Sequence, residues 1–98
     1  MKKIVIPLYP LTGEFAENKD VARDLRVNQL LPALKRKEKL VLDFSGITGA
    51  TQSFIHALIS DLIRKYGPEV LSDIKFKDCN ETVQKVITIV AEYMQESN

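Results

Sequence analysis

The sequence predicts an α/β domain built on a small, mainly parallel sheet. Two observations predict it. Short β-branched or apolar runs alternate with amphipathic stretches in the order strand, helix, strand, helix, strand, helix, and such alternation implies parallel strands joined by right-handed crossovers. The middle run, "KLVLDF" from Lys39 to Phe44, is apolar almost without interruption, the pattern of a central parallel strand covered by helices.

Each element has its own signal. "KIVIPL", Lys3 to Leu8, is a β-branched run, and Pro7 places it at an edge or ends it. Tyr9 to Asn18 reads as a loop, with Pro10 and Gly13 as breakers. Asp20 to Arg36 is helical but changes phase: Val21, Ala22 and Leu25 form one apolar set, and Val27, Leu30, Leu31 and Leu34 another. Pro32 lacks an N–H and crowds the carbonyl of Asn28, so a kinked helix, or two helices meeting near Asn28, is expected. Thr51 to Tyr66 carries Ile55, Leu58, Ile59, Leu62 and Tyr66 on one stripe, and "YGPE" ends it, with Gly67 as the cap. "DIKFK", Asp73 to Lys77, alternates as a third strand. Asn80 caps a last helix, Glu81 to Gln95, with Val83, Val86, Ile87, Val90 and Met94 at helical spacing. "QESN" at the end reads as a frayed tail.

Composition narrows the function. Ninety-eight residues, 45% hydrophobic and 28% charged, suit one soluble globular domain over residues 1–98. A net charge of +1 argues against a general basic field for nucleic acid. The run Lys35-Arg36-Lys37 with Lys39, broken by Glu38, reads as a solvated helix end. Cys79 is the only cysteine and excludes an internal disulfide. No stretch approaches a membrane span, and "MKKIVIPLYP" lacks a cleavage site, so a cytoplasmic location is expected.

Three loops leave the carboxyl ends of the strands, where open parallel sheets collect ligands. The richest is "DFSGITGATQS". Gly46 and Gly49 allow tight backbone paths, Ser45, Thr48, Thr51 and Ser53 supply hydroxyls, and the helix that follows offers free N–H groups to an anion. Asp43, Ser45, Gly46, Thr48, Gly49, His56 and Asn80 are therefore the candidate partner- or anion-binding residues. Known catalytic patterns do not fit. A P-loop needs Lys before a Ser or Thr after its second glycine, and Gly49 is followed by Ala50-Thr51. A nucleophile elbow needs glycines two places either side of its serine, and Ser45 has Asp43 and Ile47 there. Ser53 and His56 share one helical turn, a poor start for a triad with Asp43. One His and one Cys make no metal site. The plain structural readings stand beside these: Asp43 accepts turn amides, Ser53 or Thr51 caps the helix, Cys79 is a small buried hydrophobe, and Arg23 and Arg26 form surface ion pairs.

The "LDFSGI" strand, the "TQSF" helix start, the "YGPE" stop and the "FKDCNETV" return together resemble the bacterial STAS-like domain family of unknown function, over Leu25 to Met94. That family is similar in fold to the STAS domains of anti-sigma-factor antagonists. The resemblance implies a non-enzymatic signalling module without a cofactor, bound by a protein partner such as a histidine-kinase-type ATPase. It implies a phosphoacceptor hydroxyl at the start of the helix that follows a strand ending in acid. By position the acceptor is Ser53, with Thr51 second, and Asp43 is the strand-end acid. The antagonists' Asp-Ser-Ser-Gly-like run is replaced here by Ala50-Thr51-Gln52-Ser53-Phe54. A small-ligand or nucleotide site in loop 45–53 is the alternative. A monomer or weak homodimer is expected, any self-association using a sheet edge or the last helix.

Overall fold

Three parallel strands, β1 (Lys3–Pro7), β3 (Lys39–Asp43) and β5 (Ile74–Lys77), form the main sheet in the order β1-β3-β5. The computed structural model describes residues 2–96, so part of the tail expected to fray, residues 97 and 98, lies outside the described residues. Register pairs Ile4 with Leu40 and Leu40 with Ile74, and Ile6 with Leu42 and Leu42 with Phe76. Because side chains alternate across a strand, these residues share one face. Leu40, Ile74, Ile6 and Leu42 belong to the core cluster and Ile4 and Phe76 pack against it, with Phe54, Leu58, Ile59 and Leu62 of helix α4 (Gln52–Tyr66) and Val83, Ile87 and Val90 of helix α5 (Glu81–Glu96).

Among the described residues, the other face contributes nothing to the core cluster. It carries Val5, Val41 and Lys75 in register, with Lys3 beside Lys39 at one end and Lys77 beside Asp43 at the other. Val5 is 52% exposed, and Lys3, Lys75 and Lys77 are exposed. Val41 is buried but lies outside the core cluster. The expected covering helices are present, and among the described residues they pack on one side; the reason is topological. The strand order always advances in one direction, so successive right-handed crossovers lay their helices on the same side. Without a reversal there is also no switch-point crevice of the kind that holds ligands in doubly wound sheets.

The segment expected to be a loop is ordered. Helix α1 (Tyr9–Thr12) starts with Pro10 in its first turn, where a missing N–H costs nothing, and Gly13 closes it. The two-residue strand β2 (Phe15–Ala16) pairs in parallel with β4 (Gly49–Ala50). The long helical stretch resolves into α2 (Lys19–Leu25), a π-helical turn (Arg26–Leu30) and α3 (Leu31–Lys35). Leu31 N–H reaches back five residues to the Arg26 carbonyl, so the helix widens just before Pro32 instead of breaking. From this turn Arg26 donates to the Ala57 carbonyl (2.6 Å) and pairs with Asp61 (3.3 Å), fastening α4 to α2. The basic run is only partly solvated: Arg36 pairs at 2.8 Å with a buried Glu38, and Lys39 pairs with Asp73. A short 3-10 helix, Pro68–Asp73, follows Gly67 and leads into β5.

Candidate functional site

The residues singled out in sequence separate into two groups. The first is the loop after β3, and its polar groups largely satisfy one another. The Asp43 carboxylate accepts the Ser45 N–H (2.9 Å) and lies 2.6 Å from Ser45 Oγ. Asp78 Oδ2 is 2.9 Å from the same hydroxyl. Asp78 reaches it from a left-handed backbone conformation (φ 56°), which aspartate tolerates. One hydroxyl has one proton, so Ser45 serves the two acids alternately. The hydrogen bonds from the Ser45 side chain and backbone, helped by Lys77, hold the Asp43 carboxyl below its ordinary range. Thr48 donates through both N–H and Oγ1 to the Glu14 carbonyl. Asn80 accepts from Val83 N–H as the N-cap of α5 and donates to the Thr48 carbonyl (2.9 Å), tying the two loops together.

The glycines of this loop face aromatic rings. A Cβ on Gly46, which has φ 85°, would lie 2.9 Å from the Tyr9 ring, and one on Gly49 would lie 2.8 Å from the Phe15 ring. The close approach they permit is to side chains of the chain itself, from α1 and β2. Among the described residues no group of three or more His, Cys, Asp or Glu could hold a metal ion. Cys79 is half-buried, and burial together with Asp78 pushes its thiol up to about 11.

The second group lies at the start of α4. Thr51 is the N-cap: its Oγ1 accepts the Phe54 N–H at 3.0 Å, and its carbonyl accepts the Ile55 N–H. Ser53 is thereby released from capping. It occupies the second helical position, is exposed, and makes no hydrogen bond through its hydroxyl among the described residues. Ser53 and His56 border a groove of about 410 Å³ between α4 and α5, lined also by Lys19, Ala57, Ile89 and Tyr93. Ile89 is 50% and Tyr93 61% exposed. These two were missed in the sequence, although their signal is present: an apolar pair at i and i+4, offset from the core stripe of the same helix. Asp43 is engaged by Ser45, not by His56, so no Asp–His–Ser relay is assembled.

A three-stranded parallel sheet packed by α2, α4 and α5 makes this a small α/β module, with the Ser53 hydroxyl exposed at the start of the helix after the middle strand. The family model described as a STAS-like domain of unknown function matches residues 21–84. The chain belongs to that family. Searches of curated proteins and of solved structures return no match. No helix among the described residues is long and apolar enough to cross a membrane.

Proposed function

We propose that this protein is a non-enzymatic regulatory module that docks a protein partner through the α4–α5 groove and is switched by phosphorylation of Ser53. The observation that carries the reading is the division of labour at the helix start. Thr51 performs the structural task of the cap, and Ser53 stands exposed on the rim of an apolar groove. A phosphate on Ser53 would bring nearly two negative charges to a helix N-terminus, where the dipole and first-turn amides accept them without unfolding the helix. Lys19 and His56 line the same groove, so the phosphate would reverse the sign of its polar end and exclude an acidic partner segment.

The partner class, a histidine-kinase-type ATPase, follows from the resemblance to anti-sigma-factor antagonists. A nucleotide site in loop 45–53 draws less support, since Tyr9 and Phe15 fill the space over its glycines. The test is binding of such an ATPase to the wild-type protein, Ser53→Ala and Ser53→Asp. The expected result is retention by alanine and at least tenfold weakening by aspartate, about 1.4 kcal/mol. Equal binding by all three overturns the switch.

A further inference from the structure

One face of the β1-β3-β5 sheet lies outside the core cluster. Wholly parallel sheets occur almost only with both faces covered, and here one cover is missing. From the register and charge of that face we infer that it receives one acidic amphipathic helix from a partner protein, completing a three-layer structure. This inference is independent of the Ser53 switch.

Size argues for a single helix. Three strands about 4.8 Å apart span about 10 Å, the width of one α-helix. Five residues of strand run about 16 Å, or about three helical turns. The middle of the face is aliphatic: Val5 is half-exposed, and the buried Val41 lies beside it in register. The flanks are cationic. Lys3 projects from the β1 edge and Lys75 from the β5 edge, and among the described residues neither has a carboxylate partner. Lys39 and Lys77 lie on the same face, the first paired with Asp73 and the second near Asp43. A helix lying along β3 would place an aliphatic stripe on the valines and a row of acids toward each edge. A second copy of the face is unsuitable, since lysines would meet lysines. The described face carries no aromatic ring on which bases could stack.

The probe is a labelled helical peptide of about 18 residues, long enough to hold a helix in water, with a leucine stripe flanked by glutamates. Its control has the same stripe flanked by lysines. Binding is read by fluorescence anisotropy, and its location by amide chemical-shift changes. The expected result is binding of the acidic peptide alone, with shifts confined to residues 3–7, 39–43 and 74–77. Lys3→Glu with Lys75→Glu should weaken it at least tenfold, Val5→Asp likewise, and added salt should weaken it further. These side chains are exposed, so unchanged far-UV circular dichroism confirms that the variants fold. Absence of binding, equal binding of the lysine peptide, shifts located elsewhere, or preferential binding of phosphatidylserine vesicles or of single-stranded DNA would each overturn the inference.

Discussion

Replacing Thr51 by alanine removes one acceptor, the Oγ1 that holds Phe54 N–H at 3.0 Å, while leaving the rest of α4 in place. Loss of a threonine cap costs about 1 kcal/mol, within a range of about 0.5–2. Phe54 is fully buried, so its amide faces the interior of the first turn and has little recourse to water, which favours the upper half of that range. In a domain of this size that corresponds to a fall in Tm of about 4–8 °C per kcal/mol. Ser53→Ala removes an exposed hydroxyl with no bonded partner and should change stability by less than about 0.5 kcal/mol. Ser53→Asp should stabilise by about 0.3–1 kcal/mol at low salt, through the helix dipole, and lose that gain as salt is raised. Urea unfolding followed by circular dichroism measures all three. If Ser53→Ala is as damaging as Thr51→Ala, Ser53 is itself a structural cap and the division of labour at this helix start is refuted.

Other consequences can be measured alongside. Gly49→Ala should destabilise by about 1–3 kcal/mol because its Cβ meets the Phe15 ring, and Phe15→Leu in the same chain should recover part of that loss, giving a favourable coupling in a double-mutant cycle. The Asp43 carboxyl, followed by carbon NMR, should titrate below its ordinary 3.8 and move upward in Ser45→Ala. Since its folded-state value is depressed, its contribution to stability is complete above the unfolded value and disappears as pH falls through the lowered one. Cys79, raised to about 11, should react with a thiol reagent at pH 8 on the order of a hundredfold more slowly in the folded protein than in urea.

Much of this fold is legible in the sequence because its strongest signals are local and periodic. The stripe of Ile55, Leu58, Ile59 and Leu62 and that of Val83, Ile87, Val90 and Met94 specify helices that the structure contains almost to the residue. Pro32 announces a disturbance near Asn28, and the π turn at Arg26–Leu30 is the form it takes. What escaped has no periodicity to read. Strands β2 and β4 are two residues each and exist only through a long-range pairing. The run Leu40-Val41-Leu42 reads as uniformly apolar, yet Leu40 and Leu42 join the core cluster and Val41, on the opposite face, does not. At the site, the helix start was readable, but two hydroxyls competed for one cap, and only geometry assigns it to Thr51. The loop glycines, read as a ligand cradle, answer instead to Tyr9 and Phe15, thirty or more residues away in sequence.

The most direct measurement is a phosphosite map. The chain is incubated with MgATP and a histidine-kinase-type ATPase that binds it, then digested and sequenced by tandem mass spectrometry. The account predicts phosphate on Ser53 and none on Thr51, whose oxygen is committed to the Phe54 amide. Phosphate on Thr51, or on the Ser45 loop with Ser53 unmodified, would contradict it.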